Sequence, residues 1–553
     1  MNKFGKYLLT VAAAGLLAGA TIFAARNDFG LGRNMELLVN MMRELSLNYV
    51  DPVDPDVLMA DAAAGMVRGL DPYTEFYPES EVEDFEILAT GKYGGVGSLI
   101  RQKEDYVRVA EPYKNSPADR AGLKIGDLIL EIDGQSAAGF TTEQVSNRLK
   151  GEPGSKVKVK VRHLDGTEQS VTIRRERISI PSIPYAGWIG EGIGYIRHND
   201  FTEGCFEEMQ AEIARLRSEG ELKGLILDYR SNGGGVMQEA VKIVGLFVPK
   251  GTPVLELKGR GGVRESVYAT PSEPLFPDLP LAVLINGNTA SSSEIVAGSL
   301  QDLDRAVLLG QRSYGKGLVQ STRSLGYNTM LKLTTAKYHI PSGRCIQAVD
   351  YSQSQQRAVR FVPDSLITEF ATRNGRKVYD GGGIMPDIRL EPEYISRFAA
   401  TLYAMGFIDD FGDEYTRRHP EAPADLTRFS ITDADYADFV AFMQDKEVPY
   451  ESDSRRALKQ LRDAARNDRF EGVTEELDRL EATLKDDKLT NLETYREQIV
   501  ESINRDIVQR HGYAAGVAAH SLTNDPEVAR AVEVLRDAEE YRRVLTEQDT
   551  ERK

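Results

Sequence analysis

The spacing of apolar residues changes along the chain, and each change predicts a different kind of structure. Residues 34–70 carry apolar side chains at helical spacing, with Asp54-Pro55 as the start of a second helix. Residues 93–178 alternate polar and apolar positions, as in KVKVKVR, which predicts antiparallel strands with one solvated face. From Ile193 to Gln347 short apolar runs alternate with helical segments, which predicts an α/β core with crossover connections.

The chain from Glu391 onward is charged and helical in pattern. Thr432, Thr490 and Asp525-Pro526 are predicted helix starts. Two interpretations stay open for this region, a regulatory or partner-binding helical domain and a simple packed extension of the core.

Residues 7–25 form an uncharged apolar run that follows Lys3 and Lys6. The run is closer in length to a spanning helix of about 20 residues than to a secretory core of about 7–15. This favours an uncleaved anchor that leaves the lysines in the cytoplasm and the body of the chain across the membrane. A cleaved signal peptide is the alternative, because Ala18-Gly19-Ala20 offers small residues at a cleavage position.

Composition removes several functional classes. The 553 residues include 68 basic and 85 acidic ones, for a net charge of −17, which argues against nucleic acid as a partner. Cys205 and Cys345 are too few for a disulfide framework and lack metal-ligand spacing. No metal or cofactor is expected, and one disulfide or two free thiols are both compatible with the sequence.

Three consecutive serines lie between the apolar run at residues 281–286 and a helical segment, in the stretch NTASSSEIVAGSLQD. Ser291 and Glu294 have the spacing of a capping box, in which the serine oxygen accepts a helix N–H and the glutamate reaches back. A nucleophilic serine is the other interpretation, and it needs a base elsewhere in the chain.

The stretch GQRSYGKG at residues 310–317 contains a candidate base, Lys316. It differs from a phosphate-binding loop because Gly317 stands where a serine or threonine would contact magnesium. A lysine acts as a base only when it is neutral, and burial among apolar groups favours the neutral amine. The flanking glycines permit close packing around it, while a solvated lysine in a turn is the alternative.

The segments GGVGSLI, SPADRAGLKIGDLILEIDG and TTEQVSNRLKG, in this order, resemble a PDZ domain. PDZ domains bind a peptide as an added strand, and a glycine-rich loop holds its terminal carboxylate. The resemblance places this loop at Gly95, Val96 and Gly97.

Together with the PDZ segments, SNGGG, TASSSE, GKGLVQ and TAKYHIPSGR resemble the carboxyl-terminal processing peptidases, or tail-specific proteases. The resemblance runs from about Leu31 to Asp387 and implies a serine endopeptidase. It assigns the nucleophile to Ser291, the general base to Lys316 and the lysine-orienting role to Gln320. It also places the oxyanion hole at the backbone N–H groups of Gly234 and Ser292.

The fold implied is an α/β protease core, with crotonase- or Clp-protease-like strands and helices, into which a mainly-β PDZ domain is inserted. The expected boundaries are 1–30 for the membrane segment, 31–80 for N-terminal helices, 81–178 for the PDZ domain, 179–390 for the core and 391–553 for the helical region. Expected partners are proteins with unstructured C-terminal tails, the inner membrane on its periplasmic side, and further copies of the chain through terminal helices.

Two departures from the family pattern stand out. Gly233 occupies a position that is usually proline, so the oxyanion loop is expected to be loose at rest. A polar insertion at about residues 348–382, interpreted as a surface loop, delays the motif that begins at Gly383.

Two other mechanisms stay open. A histidine base would have to be His163, His198 or His339, of which the last two follow predicted strands. A catalytically inactive PDZ adaptor is the alternative for the whole chain.

Overall fold

The structure is a computed structural model that describes residues 30–351, 360–484 and 487–547. The predicted membrane segment lies outside these ranges. Within them, no helix has the length and apolar character needed to cross a bilayer. The described chain divides into two units, and the smaller one comprises residues 30–82, 320–334 and 351.

The smaller unit contains the two predicted N-terminal helices. They are α1 (residues 30–48) and α2 (Pro55–Val67), followed by the short strand β1 (Glu75–Tyr77). Asp54 caps α2 by accepting a hydrogen bond from the Asp56 N–H, and Pro55 occupies the first helical position, as the sequence indicates. β1 pairs with residues 330–332 in antiparallel register.

The larger unit contains most of α3 and the predicted PDZ strands. Its sheet has the order β3-β4-β5-β7-β8, so β3 is an edge strand, and β2 pairs separately with β9. The valines of β7 are fully buried in the core of this sheet. The elements are α3 (Glu79–Thr90), β2 (Lys92–Gly95), β3 (Ser98–Lys103), β4 (Tyr106–Pro112), α4 (Pro117–Arg120), β5 (Leu128–Ile132), β6 (Gln135–Ser136), α5 (Thr142–Leu149), β7 (Lys156–Arg162), β8 (Glu168–Arg174) and β9 (Glu176–Ser179).

The α/β core is built on a sheet of order β10-β11-β12-β15-β16-β23, parallel from β11 onward. Its elements up to the nucleophile segment are β10 (Tyr185–Trp188), β11 (Ile193–Arg197), α6 (Cys205–Glu219), β12 (Gly224–Asp228), α7 (Met237–Val244), β13 (Pro253–Lys258), β14 (Arg264–Ala269), β15 (Leu281–Ile285) and α8 (Ser292–Asp302). Helices α6, α7 and α8 cover one face, and every residue of α8 is buried. The candidate residues therefore follow the carboxyl ends of parallel strands, where α/β proteins place their sites.

The remaining core strands are β16 (Val307–Gly310), β17 (Leu318–Gly326), β18 (Thr329–His339), β19 (Val349–Asp350), β20 (Arg360–Phe361), β21 (Glu369–Ala371), β22 (Lys377–Tyr379) and β23 (Ile388–Arg389). Strands β21 and β22 form a hairpin within the polar insertion. Arg376 in this hairpin is buried, and its guanidinium bonds Asp304 at 2.7 Å and Asp387 at 2.6 Å. Most described residues of the insertion are exposed, in agreement with a surface segment, and the buried ion pairs of Arg376 anchor it to the core.

The C-terminal region is helical, as predicted. It contains α9 (Arg397–Ala404), α10 (Phe407–Arg418), α11 (Asp433–Phe442), α12 (Asp453–Asn467), α13 (Thr474–Thr483), α14 (Lys488–Thr494), α15 (Arg496–Ser521), α16 (Pro526–Arg536) and α17 (Ala538–Thr546). Thr432 and Asp525 are N-caps, but Thr490 lies inside α14, whose cap is Asp487. The prediction at Thr490 is wrong because an aspartate three residues earlier accepts its N–H.

Helix α16 covers the second face of the core sheet. Val528, Ala531 and Val534 are buried against Ile226 and Leu284 of the sheet. The end of the chain therefore completes the three-layer core, which supports the packed-extension interpretation for this helix.

Helices α10 and α15 contact the PDZ sheet through a network of ion pairs. Arg108 of β4, only 1% exposed, bonds Asp409 at 2.6 Å and Asp413 at 2.8 Å in α10. Arg510 of α15 bonds the same Asp413 at 2.6 Å and Asp506 at 2.7 Å. Burial raises the pKa of the Asp506 carboxyl to about 6. Since the aspartates that cluster here are paired with cations, they form a structural contact and not a metal site.

We predict that Arg108→Ala lowers the free energy of unfolding by about 3–5 kcal/mol, because it removes one of the two buried arginines that pair with Asp409 and Asp413. The matched control is Arg162→Ala in the same sheet, whose exposed pair with Glu168 is worth at most about 1 kcal/mol. Urea denaturation of both variants measures the difference. Equal midpoints would show that the buried pairs do not stabilise the fold.

Candidate functional site

The turn between β15 and α8 gives Ser291 a backbone conformation that residues with side chains rarely adopt, with φ 57° and ψ −118°. Thr289 stabilises this turn, since its Oγ1 accepts from the Asn286 N–H and donates to the Tyr229 carbonyl, both at 2.9 Å. Such conformations cost about 1–3 kcal/mol and persist where surrounding contacts enforce them, which is common at reactive residues. Ser291 is half-buried, directly before the first residue of α8.

The two serines that follow Ser291 attach a glycine-rich loop to this turn. Ser292 Oγ donates to the Gly235 carbonyl at 2.9 Å, and Ser293 Oγ donates to the Asn232 carbonyl at 3.1 Å. Both hydroxyls therefore hold the glycine-rich loop through hydrogen bonds, and this structural role distinguishes Ser292 and Ser293 from Ser291.

Gly234 approaches the turn so closely that only glycine fits. A Cβ atom there would lie 2.7 Å from Ser291 Cβ and 2.7 Å from Ser292 N, and the backbone φ is 93°. The neighbouring Gly233 has no described atom within 4 Å of the equivalent position. Steric crowding thus requires glycine at position 234 and leaves position 233 unconstrained.

The Gly234 N–H has an acceptor within the protein, Asn232 Oδ1 at 2.9 Å. Asn232 is fully buried, and its Nδ2 donates to the His198 carbonyl at 2.7 Å. Ser292, as the first residue of α8, has an N–H that no intrahelical carbonyl accepts. Of the two predicted oxyanion donors, Gly234 is therefore engaged by a side chain in this structure.

The Glu294 carboxylate joins the serine turn to the lysine loop. Its Oε2 accepts from the Ser291 N–H at 2.8 Å and the Lys316 N–H at 2.9 Å. Its Oε1 accepts from the Gly315 N–H at 2.7 Å and Ser313 Oγ at 2.5 Å. The side chain is completely buried; burial raises the pKa of the carboxyl, and the four donors act in the opposite direction. One oxygen accepting from both residues fixes the backbones of Ser291 and Lys316 beside each other.

The glycines around Lys316 show the close packing that their sequence predicts. A Cβ at Gly315 would lie 2.5 Å from Ala348 Cβ, and one at Gly317 would lie 2.9 Å from Gln347 N. Gln347 Oε1 also accepts the Gly317 N–H at 2.7 Å. Lys316 itself is half-buried, so it is not the fully solvated lysine of the alternative interpretation.

Gln320 belongs to the smaller unit. Its Nε2 donates to Thr334 Oγ1 at 3.0 Å, and Thr334 Oγ1 donates to Asp71 Oδ1 at 3.2 Å. The same aspartate oxygen accepts the Thr74 N–H at 2.9 Å. This chain of hydrogen bonds sets the orientation of the Gln320 amide.

The predicted carboxylate loop of the PDZ domain runs from Gly95, at the end of β2, to Gly97. The Val96 carbonyl accepts the Ala118 N–H at 2.8 Å, and the Gly97 carbonyl accepts Ser116 Oγ at 2.8 Å. A side chain at Gly97 would collide with Ser116, since the Cβ atoms would lie 2.5 Å apart. The loop shape is thus fixed from the α4 side, directly before the edge strand β3.

The three candidate histidines each have defined surroundings in the structure. His198 is buried against Phe201 and Tyr229, with ring centroids 4.3 and 5.4 Å away, and burial lowers its pKa to about 3. Neither of its ring nitrogens has a hydrogen-bond partner among the described residues. His339 Nδ1 lies 3.0 Å from the Gly343 carbonyl, and His163 Nδ1 lies 2.8 Å from Asp127 in the PDZ domain.

Comparison with known proteins places these features in a family. Residues 192–354 match peptidase family S41, residues 108–163 match a PDZ domain, and residues 398–535 match the C-terminal helical domain of a probable PDZ-protease. The carboxy-terminal-processing protease of Bartonella bacilliformis is 32% identical over 342 residues, which cover 61% of this chain and 78% of that protein. The chain belongs to the carboxy-terminal-processing proteases of peptidase family S41. It is a serine-type peptidase with an α/β core and a PDZ domain.

Other proteins similar to this chain are also named as proteases. A probable CtpA-like serine protease of Staphylococcus aureus is 32% identical over 345 residues, covering 61% of this chain and 68% of the relative. The solved photosystem II D1 C-terminal processing protease is 27% identical, with a TM-score of 0.35, and covers 64% of this chain and 86% of that one. The similarity extends beyond the motifs that suggested the family, which end at Asp387, into the C-terminal helices.

Sequence reasoning missed several residues of this carboxy-terminal-processing protease. The S-x-x-E spacing identified the contact of Glu294 with the Ser291 backbone, but it contains no sign of the lysine loop. Asn232 and Ser313 carry no sequence signal of their own, because their partners are distant in the chain.

Both cysteines are free thiols, and Cys205 is buried.

We predict that Glu294→Gln lowers the kcat of peptide hydrolysis at least tenfold, because an amide cannot accept all four donors. The control is Glu208→Gln, whose carboxylate accepts the N–H groups of Ser182 and Ile183 away from the site. Unfolding midpoints of the two variants separate loss of stability from loss of activity. An unchanged kcat in Glu294→Gln would refute the positioning role.

We also predict that Gly234→Ala reduces kcat by about 100-fold or more, the typical effect of losing one oxyanion donor. Gly233→Ala should stay within about twofold of the parent, since the space around it is open. Steady-state kinetics of both variants test this. Similar losses in both would mean that general loop flexibility, not crowding at Gly234, controls the rate.

Proposed function

We propose that this chain is an endopeptidase that cleaves proteins at or near unstructured C-terminal tails, with Ser291 as nucleophile and Lys316 as general base. Ser291 Oγ attacks the scissile carbonyl while the neutral Lys316 amine takes the hydroxyl proton. The protonated lysine then returns a proton to the leaving amine, and water releases the acyl group from Ser291 by the same proton transfers. No metal or cofactor enters these steps.

The observation that carries this proposal is the buried Glu294 carboxylate, which accepts the backbone N–H groups of both residues. A capping role alone needs only the contact with Ser291. The contacts with Lys316, Gly315 and Ser313 have no function in capping α8, but they fix the lysine loop against the nucleophile. Gln320 is proposed to orient the lysine amine, and its own hydrogen-bond chain favours one amide orientation.

The oxyanion of the tetrahedral intermediate is proposed to bind the N–H groups of Gly234 and Ser292. The Gly234 N–H must first exchange Asn232 Oδ1 for the substrate oxygen. This requirement agrees with a resting enzyme whose oxyanion hole is completed only during substrate binding.

The PDZ domain is proposed to bind the substrate tail as a strand beside β3. Strand β3 is the edge strand of its sheet among the described residues, and helix α5 packs beside it. The Gln102 side chain in β3 donates to the Phe140 carbonyl at 3.4 Å and lies 3.4 Å from Thr142 Oγ1, which ties the strand to the start of α5. The loop at Gly95, Val96 and Gly97 would then hold the terminal carboxylate.

A location on the periplasmic side of the inner membrane, with residues 7–25 as anchor, remains part of the proposal and rests on the sequence alone. Assembly of several copies through the terminal helices is proposed on the same basis.

We predict that Ser291→Ala and Lys316→Ala each reduce cleavage of an unfolded substrate with an apolar C-terminus by about 10³-fold or more. Lys316→Arg should be equally inactive, because a guanidinium does not lose its proton. The control is Lys250→Ala, an exposed lysine outside the site. Initial rates with the full-length protein between pH 6 and pH 10 provide the measurement.

Three results would contradict the proposal in different ways. A wild-type protein that binds tails but never cleaves them is an adaptor. Activity that survives Lys316→Ala and disappears in a folded His198 or His339 variant indicates a histidine base. Activity that survives Ser291→Ala excludes the assigned nucleophile.

A further inference from the structure

The insertion hairpin and the core enclose a cavity of about 230 Å³ that has no role in the proposed chemistry. Part of its lining is apolar and comes from Ile367, Val378 and Met385. The space is of the order of one amino-acid side chain with its backbone. The apolar lining therefore suits a single hydrophobic residue.

The charged residues at the cavity are mostly basic. Lys377 is paired with Glu369 at 3.2 Å, and Asp380 Oδ1 accepts the Thr368 N–H at 2.7 Å. Arg312 and Arg389 also line the cavity, and both are exposed. Neither has an ion-pair partner in the part of the chain that the structure describes. In a chain with net charge −17, two unpaired arginines at one cavity mark a local site for an anion.

A third arginine, Arg344, lines the cavity from inside the protein. Arg344 is 1% exposed, and its guanidinium pairs with Asp302 at 2.8 Å and donates to Gln301 Oε1 at 2.8 Å. Its Nε–H is buried and has no acceptor among the described residues. A buried donor without a partner costs about 1–3 kcal/mol, so an acceptor that reached this N–H would be stabilised.

We propose that this cavity binds the C-terminal residue of a peptide, with an apolar side chain inside and the carboxylate on Arg312 and Arg389. An arginine fork binds a carboxylate through charge-assisted hydrogen bonds. The cavity is a second tail-recognition site, separate from the PDZ loop. A role of this cavity in proteolysis rests on the proposed function. The binding of a peptide carboxylate in the cavity does not depend on that function.

The cavity adjoins the catalytic loop through a short series of hydrogen bonds. Arg312 precedes Ser313, whose N–H donates to the Ile384 carbonyl at 3.0 Å and whose Oγ accepts the Ile384 N–H at 2.6 Å. The same Oγ donates to Glu294. A ligand on Arg312 therefore binds one residue away from Ser313, which bonds the carboxylate that positions Ser291 and Lys316.

The test uses the full-length chain carrying Ser291→Ala and two small probes, N-acetyl-L-leucine and N-acetyl-L-leucinamide. A single capped residue is too short to add as a strand to the PDZ sheet, and the amide lacks the charge. We expect NMR titration to give a Kd for the acid at least tenfold lower than for the amide. Arg312→Ala and Arg389→Ala should each weaken acid binding at least threefold, and the double variant at least tenfold.

The control is Arg466→Ala, an arginine 75% exposed on α12, which should change the Kd less than twofold. Arg312→Lys should retain part of the affinity, because it keeps the charge. Equal binding of acid and amide, or acid binding that persists in the double arginine variant, would overturn the proposal. Because the probe chain carries Ser291→Ala, failure of this test leaves the proposed cleavage reaction intact, and an inactive wild type leaves the cavity proposal intact.

Kinetics with Ser291 restored identify which peptide end is bound. If the cavity takes the substrate's own tail, amidating that tail raises KM more in the parent than in the double arginine variant. If the cavity instead binds the C-terminus created by cleavage, the cleavage product with its free carboxylate inhibits the parent but not the double arginine variant.

Discussion

One buried carboxylate determines the geometry of the candidate active site. Burying an ionised group is costly unless hydrogen bonds replace its hydration. Glu294 obtains four donors, and they come from two different chain segments, the serine turn and the lysine loop. Neither segment can move without leaving the carboxylate short of partners. The same interaction that solvates the buried charge therefore sets the position of nucleophile and base.

The rest of the site is arranged around this constraint by close backbone packing. Gly234, Gly315 and Gly317 each occupy a place where a Cβ atom would collide with a neighbouring segment. Such packing leaves little freedom, so the engagement of the Gly234 N–H by Asn232 is a defined resting arrangement. Arg230, two residues before Asn232, bonds Asp525 at 2.7 Å and Glu527 at 2.8 Å at the start of α16. The C-terminal helices thus contact both the PDZ sheet, through Arg108, and the segment that leads to the glycine loop.

Sequence reasoning reached the fold where local patterns decide the structure. Alternating valines in β7, the Asp-Pro starts of α2 and α16 and the apolar run of β15 all correspond to described elements. Sequence reasoning did not predict the features that depend on a contact with a residue distant in the chain. The insertion lies largely at the surface, as its polar composition predicts, but no local pattern predicts the ion pairs of Arg376 with the buried Asp304 and Asp387. Thr490 is a good cap by residue type, yet Asp487 takes that role. The roles of Asn232 and Ser313 depend on contacts between segments in the same way.

The most direct test of the account is the rate at which Ser291 is acylated by a serine-directed fluorophosphonate. If Lys316 removes the serine proton, labelling in the parent should rise with pH, and Lys316→Ala should slow it by about 100-fold or more at neutral pH. Labelling of Ser291 at the same rate with and without the lysine amine would contradict the account.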